Sequence, residues 1–240
     1  MNPPYDIYVR ERAVLNVEHR KAYTALEMEP KSKELPRDVE KAKALTRWMC
    51  DNFYDIRSFG AVMTTEVNCG QVRGPVQLTI ARSIDPVVAS EFSITRCAVT
   101  NEKDAEKKER EMGRKFTVAY GLYRCHGFIN ATLAEQTGFS EEDLKLLVSA
   151  LNDMFDHDHS AARGQMAPVR CVAFRHENRL GNARADLLLS KVTVELKPEL
   201  QTEKRPARSR HDYRISVDSG LPPGVTIEEW VEVAASAKAS

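Results

Sequence analysis

The sequence has few cysteines, and their placement excludes the common cysteine-based structures. There are five in 240 residues, an odd number with no Cys-x-x-Cys pair. They lie far apart, at Cys50, Cys69, Cys97, Cys125 and Cys171. A disulfide framework needs paired cysteines and a structural zinc site needs closely spaced ones, so neither is predicted. The pattern is typical of reduced thiols and predicts a cytoplasmic protein.

Long hydrophobic runs are also missing. No stretch reaches the roughly 20 apolar residues that a membrane span requires, so no membrane partner is predicted. The first residues, "MNPPYDIYVRER", have neither the basic start nor the apolar run of a signal peptide. With 42% hydrophobic and 29% charged residues, the composition is that of a soluble globular protein with a sizeable core.

The sequence has no excess of either charge, because 35 Lys and Arg balance 35 Asp and Glu. Overall neutrality would exclude nucleic-acid binding only if the charges were evenly mixed, since phosphate contacts need local clusters of cations. They are not evenly mixed. Between positions 159 and 184 a single acid, Glu177, lies among five arginines, which are Arg163, Arg170, Arg175, Arg179 and Arg184.

The chain lacks a nucleotide-hydrolysis loop, although residues 69–86, "CGQVRGPVQLTIARSIDP", begin like one. Gly70 and Gly74 are too close together for the G-x-x-x-x-G-K-[ST] pattern, and Pro75 stands where a helix would begin. Two interpretations remain. The backbone N–H groups beside Arg73 could bind phosphate oxygens, or the glycines could form a bend or bulge that enters a strand.

Hydrolytic and metal-dependent chemistry find little support. In "FDHDHSAARG" His157 and His159 lie two residues apart, so a helix would point them to different faces, and no third ligand accompanies Asp156. No nucleophile-elbow motif is present. We therefore predict no metal, no cofactor and no catalytic residue. Gly164 is interpreted as a helix stop that places Ser160 and Arg163 on an exposed turn.

Helical and strand periodicities alternate irregularly along the chain. Helices are predicted at residues 14–26, 36–53 and 139–155, the last with a capping box formed by Ser140 and Asp143. Alternating strand patterns occupy residues 74–81, 91–100, 114–129, 169–176, 187–196 and 213–218. The mixture predicts a single α+β domain over residues 1–240 with an antiparallel sheet, a polar linker at 197–212 and a disordered tail at 234–240.

The run "NEKDAEKKEREMG", residues 101–113, is almost wholly charged and has two interpretations. It could be a solvated helical turn or a disordered loop. Strand patterns flank it on both sides, however, which favours the tip of a long hairpin arm that projects from the body.

Arginines recur beside glycine or small residues at the ends of predicted elements. Examples are Arg57 in "DIRSFG", Arg73 in "QVRGP", Arg163 in "AARG" and Arg179 in "NRLG". The stacking aromatics of RNP motifs are absent, so standard base reading is not expected. The pattern favours contact with a phosphate backbone regardless of sequence. For "HENRLGNA", an ordinary hairpin loop explains the residues equally well.

Several of these segments resemble one family over nearly the whole chain up to about residue 190. The similarity is to the repeated backbone subunit of the type I-C CRISPR Cascade complex, in the repeat-associated RNA-binding superfamily. The segments that carry it are "YDIYVRERAVLN", "WMCDNFYDIRSFGAVMTTEVNCGQVRGPVQLTIARSIDPV", "ITRCAV", "MGRK", "YGLYRCHGFI", "GFSEEDL", "MFDHDHSAARG" and "HENRLGNA".

The resemblance implies a modified RRM-like (ferredoxin-like) palm with an antiparallel sheet, a helical insertion and a projecting thumb hairpin at residues 91–120. It implies a non-catalytic subunit whose partners are CRISPR RNA, further copies in a helical filament, other Cascade subunits, and target DNA through the guide. Combined with residue type, it implies these RNA-binding residues: Arg57, Gln71, Arg73, Arg96, Arg114, Lys115, Ser160, Arg163, Asn178 and Arg179. The alternatives are a metal-dependent RNase of the type III backbone kind and an oligomeric scaffold without nucleic acid.

One departure from the family concerns the first residues. Family members have a hydrophobic strand and an Asn/Gly/Pro-rich loop before the "YDIYV" region, and the printed sequence has neither. A truncated or mis-started reading frame, or an internally started product, is the expectation that follows.

Overall fold

The computed structural model describes residues 3–106, 110–161 and 164–232, where helices and strands are interspersed. The helices are α1 (Leu15–Ala25), α2 (Val39–Asn52), α3 (Tyr54–Phe59), α4 (Glu102–Ala105), α5 (Ala131–Thr137), α6 (Glu141–Asp153), α7 (Ala185–Leu189) and α8 (Pro198–Thr202). The strands are β1 (Gly60–Thr64), β2 (Asn68–Arg73), β3 (Val76–Leu78), β4 (Arg82–Ser83), β5 (Ala89–Arg96), β6 (Glu111–Val118), β7 (Tyr123–Arg124), β8 (Gly127–Ile129), β9 (Arg170–His176), β10 (Val192–Leu196), β11 (Tyr213–Val217) and β12 (Val225–Glu232).

These strands hydrogen-bond in antiparallel pairs. The pairs in the described ranges are β1–β2, β3–β8, β4–β7, β5–β6, β9–β12 and β10–β11. Helices and antiparallel strands that do not alternate regularly define the α+β class. The predicted fold class is confirmed.

The contacts of the chain divide it into two compact units. The first is drawn from residues 1–80, 125–149 and 177–181, and the second from residues 81–124, 150–176 and 182–240. Each unit therefore combines segments that are distant in sequence. Within the described ranges, no helix is both long and apolar enough to cross a bilayer.

The core of the first unit lies where α1 and α2 pack on the β1–β2 pair. Helix α2 begins after Asp38, whose carboxylate accepts hydrogen bonds from the N–H groups of the first turn. It presents Leu45 and Met49, both fully buried, to the core. Phe53 follows directly and is also buried. Burial of each of these side chains contributes about 1.5–3 kcal/mol to folding, which fixes α2 and the start of α3 against the strands.

His19 of α1 links two segments through hydrogen bonds of its ring. One partner is Tyr8 in the N-terminal segment, and the other is Val67, the residue before β2. The His19 ring is fully buried and stacks on Tyr8 at a centroid distance of 5.5 Å. Nδ1 lies 2.6 Å from the Val67 carbonyl oxygen, which can only accept, so Nδ1 donates. Nε2 then accepts from the Tyr8 hydroxyl at 2.8 Å. Burial lowers the pKa of His19, although the Val67 bond and the Glu18 charge oppose this, and the ring is held neutral.

Mild acid is expected to destabilise the protein through His19. Because its folded pKa lies below the unfolded value of about 6.5, the unfolded chain takes up a proton first, and stability falls as the pH drops below that value. His19→Gln should reduce the loss of unfolding free energy between pH 7 and pH 5, measured by urea denaturation. The exposed His211 is the control, since His211→Gln should keep the wild-type slope. A His19→Gln protein with an unchanged slope would contradict the assignment.

In the second unit, β5 and β6 form a long hairpin within the predicted arm. Their register runs from Ala89 opposite Val118 to Arg96 opposite Glu111. Both strands are largely exposed on both faces. Apolar side chains are exposed with them, for example Phe92, whose exposed fraction is 54%. Helix α4 follows β5 within the charged run, and β6 begins at Glu111 near the end of that run.

Some segments differ from their predictions. The 197–212 segment, expected to be a polar linker, contains α8, whose Leu200 is buried, and a 3-10 helix at Arg210–Asp212. The pattern at 187–196 is split between α7 and β10. Helix α6 ends at Asp153, so Gly164 is not its stop, and that interpretation was wrong. The predicted tail at 234–240 lies outside the described residues.

Candidate nucleic-acid interface

Arg57 lies in a buried ion pair and not on the surface. Only 5% of the residue is exposed. Its Nε and Nη2 donate to the two carboxylate oxygens of Asp143, at 3.0 and 2.7 Å. Its Nη1 donates to the carbonyl oxygens of Cys50 at 2.7 Å and Pro4 at 3.1 Å. A guanidinium has five N–H donors, so four of them are used inside the protein.

Both members of this pair are charged. Burial alone would raise the pKa of Asp143, but hydrogen bonds from Arg57 and Ser140, with the Arg57 charge, lower it below its usual range. Burial alone would lower the pKa of Arg57, and the bonds to Asp143 raise it instead. Because the guanidinium is buried and four of its five donors are already bonded inside the protein, it is not available to phosphate. We therefore correct the prediction for Arg57, which is a structural residue.

Sequence reasoning missed the second role of Asp143, although it found the first. The predicted capping box is present, because the Ser140 N–H donates to the Asp143 carboxylate at 2.8 Å and the Asp143 N–H donates to the Ser140 hydroxyl at 3.2 Å. The same carboxylate also binds Arg57. An acid that is buried in a helical first turn needs a cation as well as the cap, but the sequence does not show that Asp143 is buried, so it carries no signal for this partner.

Gln71 and Arg73 lie on one exposed face of β2. Gln71 is opposite Val62, which is 70% exposed, and Arg73 is opposite Gly60 at the start of β1. Neither side chain has a hydrogen bond or ion pair with any residue that the structure describes. The two predicted residues are thus brought together on an open strand surface, with Arg73 available for an anion.

The glycines around Arg73 are explained by backbone packing. Gly70 has φ +82° and sits at an irregularity in the β1–β2 register, as expected for a bulge. A Cβ on Gly74 would lie 2.2 Å from the Phe59 carbonyl carbon and 2.3 Å from the Gly60 nitrogen. The bulge interpretation therefore accounts for this motif, and the segment is a strand and not an open phosphate loop.

Arg96, Arg114 and Lys115 belong to the β5–β6 hairpin. Opposite residues share a face, so Arg96 and Lys115 lie on one side and Arg114 lies on the other. Arg96 donates to the Ala98 carbonyl oxygen at 2.8 Å and to the Thr100 hydroxyl at 2.9 Å. Arg114 pairs with Glu91 at 3.1 Å, while 73% of its side chain remains exposed. The hairpin thus carries cations on both faces.

Ser160 lies in a turn beside the hairpin. The Gly164 N–H donates to its carbonyl oxygen at 3.1 Å, and the Lys115 Nζ donates to the next carbonyl, that of Ala161, at 2.7 Å. Lys115 and the 160–161 segment are therefore brought together. Arg163, the other residue predicted here, lies outside the described residues.

Asn178 and Arg179 lie in a turn of the first unit. The Asn178 side chain accepts from the Leu180 N–H at 2.9 Å, so it stabilises the turn. The Arg179 guanidinium lies 3.3 Å from Glu135 of α5, and 56% of its side chain is exposed. Exposed ion pairs of this kind are weak, with a typical value of about 0–1 kcal/mol, so Glu135 does not prevent Arg179 from binding a stronger anion.

Metal-ligand geometry is not seen in the described parts of the chain. Among those residues no three His, Cys, Asp or Glu side chains come together in a group that could hold a metal ion. The candidate interface is therefore made of arginine, lysine and amide groups, whose chemistry is the binding of anions.

Comparisons with known proteins place the chain in a family. None of the curated proteins matches it. A solved structure described as "CRISPR RNA-guided surveillance complex, pre-nicking" is similar at 21% identity and a TM-score of 0.41, over 68% of this chain and 44% of that chain. This chain therefore spans less than half the length of that relative. The family model described as CRISPR-associated protein Cas7 matches residues 1–218. Since that match covers most of the sequence, this chain belongs to the Cas7 family of CRISPR-associated proteins.

Proposed function

We propose that this chain is a non-catalytic backbone subunit of a type I-C Cascade surveillance complex. It binds CRISPR RNA, polymerises along it with further copies and other Cascade subunits, and leaves the guide bases exposed for pairing with target DNA. Family membership over residues 1–218 is the observation that carries the proposal. The proposed cellular location is the cytoplasm.

The surface chemistry supports a role in backbone contact. Arg73 is exposed and unpaired within the described chain, and Gln71 beside it adds amide donors. Arg114 and Arg179 form exposed ion pairs with glutamates, which a phosphate can replace, and Arg179 also donates weakly to the Thr132 hydroxyl at 3.5 Å. Guanidinium groups bind phosphate oxygens through paired N–H donors, without reading a base. RNA binding that is independent of guide sequence is the expected result.

The hairpin supports the proposed thumb. It comprises two eight-residue strands whose side chains are mostly exposed, with charged residues at their connection. The hairpin leaves large apolar side chains exposed to solvent, among them Phe92 and Phe116. A partner that covers them stabilises the assembly. We therefore propose residues 91–120 as the thumb.

Arg73→Glu is expected to weaken RNA binding about tenfold, to a similar extent for all guide sequences. Loss of one phosphate contact should also flatten the dependence of log K on log salt by about 0.7–1. Fluorescence anisotropy with several single-stranded RNAs over a salt series measures both. The matched control is Arg37→Glu, which makes the same charge change at another exposed arginine without a partner in the described chain.

Three results would contradict the proposal. A strong dependence of the Arg73→Glu effect on RNA sequence would show base reading in place of backbone contact. Cleavage of complementary RNA at regular intervals, with a divalent metal present, would show the type III RNase activity instead. Purified protein that contains no RNA by its ultraviolet absorbance, and binds none, would favour a scaffold without nucleic acid.

A further inference from the structure

Two arginines of the second unit face each other across a short strand pair. Strands β4 and β7 are antiparallel, with Arg82 directly opposite Arg124 and Ser83 opposite Tyr123. The ladder continues through the Ile84 N–H, which donates to the Leu122 carbonyl oxygen at 2.8 Å. Residues directly opposite in an antiparallel pair have Cβ atoms about 4.5–5.5 Å apart and point to the same face. The backbone therefore places the two arginine side chains on the same face, where both guanidinium groups can reach one anion.

No acid neutralises this pair in the part of the chain that the structure describes. Neither Arg82 nor Arg124 has a hydrogen bond or an ion pair there from its side chain. Arg82 is exposed and Arg124 is half-buried, so solvent reaches the site.

Three other strand arginines of the same unit form ion pairs with glutamates. Arg114 pairs with Glu91 on its partner strand, at 3.1 Å. Arg170 and Arg175 of β9 pair with Glu229 and Glu228 of β12. Each of these arginines has a glutamate on the neighbouring strand, whereas Arg82 and Arg124 have no ion pair with any acid in the described ranges. Among those residues, the position therefore carries two positive charges without a counterion.

Like charges directly opposite in a sheet repel and destabilise the pairing. An anion between the two guanidinium groups removes the repulsion and accepts their N–H donors. A phosphate suits this place because its tetrahedral oxygens accept from two guanidinium groups at once. We propose that Arg82 and Arg124 form a phosphate-binding site that takes a phosphodiester group of the bound RNA. The RNA part of the inference rests on the proposed function.

Inorganic phosphate is the probe for the site itself. Thermal unfolding of the full chain is compared in phosphate and in chloride at equal ionic strength. The wild type should gain about 3 °C more in phosphate, as expected for roughly tenfold excess over Kd. Arg82→Gln/Arg124→Gln should lose this gain. Its midpoint in chloride should equal or exceed that of the wild type, because the repulsion is gone, so a folded protein is available for the test.

The matched control removes the same two charges elsewhere. Arg20→Gln/Arg37→Gln changes exposed arginines that have no partner within the described chain, and it should keep the wild-type response to phosphate. An equal response in the Arg82→Gln/Arg124→Gln protein would overturn the site. Equal loss in both double variants would also overturn it, because net charge alone would then explain the effect.

RNA binding is the second arm and separates the two sources of phosphate. With single-stranded RNA, Arg82→Gln/Arg124→Gln should weaken binding at least tenfold and flatten its salt dependence, while the control changes it less than threefold. A lost response to inorganic phosphate with unchanged RNA affinity would overturn the assignment to RNA. If the wild type binds no RNA but keeps its response to phosphate, the proposed function fails and the anion site stands.

Discussion

Asp143→Asn is expected to lower the free energy of unfolding by about 3–5 kcal/mol, the largest effect that we predict for a polar substitution. The substitution keeps the size of the side chain and removes its charge. Arg57 would remain buried and protonated, because its ordinary pKa is far above neutral pH. A buried charge without its counterion keeps the full cost of leaving water. Urea denaturation at pH 7 measures the change.

A matched surface pair provides the control. Arg47 and Asp51 form an ion pair in α2 at 2.9 Å, with about half of each side chain exposed, so Asp51→Asn should cost less than about 1 kcal/mol. A double variant, Arg57→Met/Asp143→Leu, should be more stable than Asp143→Asn, because it leaves no unpaired charge. An Asp143→Asn protein within 1 kcal/mol of the wild type would contradict the structural role of the pair.

The same pair gives a dependence on pH. Because the folded pKa of Asp143 is lowered, its contribution is complete above the unfolded value of about 3.9 and is lost as the pH falls through the folded value. The Asp143→Asn protein should therefore lose less stability than the wild type below about pH 4.

Gly74→Ala is expected to destabilise the protein by about 3 kcal/mol, at the upper end for overpacking. The added Cβ would meet the Phe59 carbonyl carbon, the Gly60 nitrogen and the Ser58 carbonyl oxygen, all within 2.5 Å. These are backbone atoms, which cannot rotate away as the end of a side chain can. Relief requires β1 and β2 to separate, and this would move Arg73, the residue before Gly74. We expect a lower unfolding midpoint and weaker RNA binding together.

Gly113→Ala is the control for this substitution. Its Cβ would contact only the Ile94 side chain, at 3.4 Å or more. We expect a change within about 0.5–1 kcal/mol, since a surface side chain can adjust. If Gly74→Ala were as mild as Gly113→Ala, the close approach of the two backbone segments would not exist in solution.

Local patterns in the sequence were good predictors of local structure. The alternation on both sides of the charged run lies where the β5–β6 hairpin forms, and the Ser140–Asp143 capping box is present. Both depend on residues within a few positions of each other, where spacing determines geometry.

Long-range pairing was not predictable in this way. Arg57 resembled the other arginines beside small residues, and only its partner 86 positions away makes it structural. Similarly, Gly74 could be interpreted as part of a phosphate-binding loop or of a bend, because nothing in the local sequence shows that Phe59 and Gly60 pass so close. The pairing of Arg82 with Arg124 was not predicted either, because neither residue lies in a recognisable motif and only the strand register places them opposite each other.

The Arg57–Asp143 pair has a consequence for the synthesis of the chain. The two residues are 86 positions apart, and a ribosome adds about 5–20 residues per second. Roughly 4–17 s therefore pass between the addition of the arginine and the addition of its carboxylate partner. During this interval α3 has been synthesised, but Arg57 has no carboxylate with which to form its buried ion pair. We therefore expect the nascent first unit to remain partly open until the start of α6 leaves the exit tunnel.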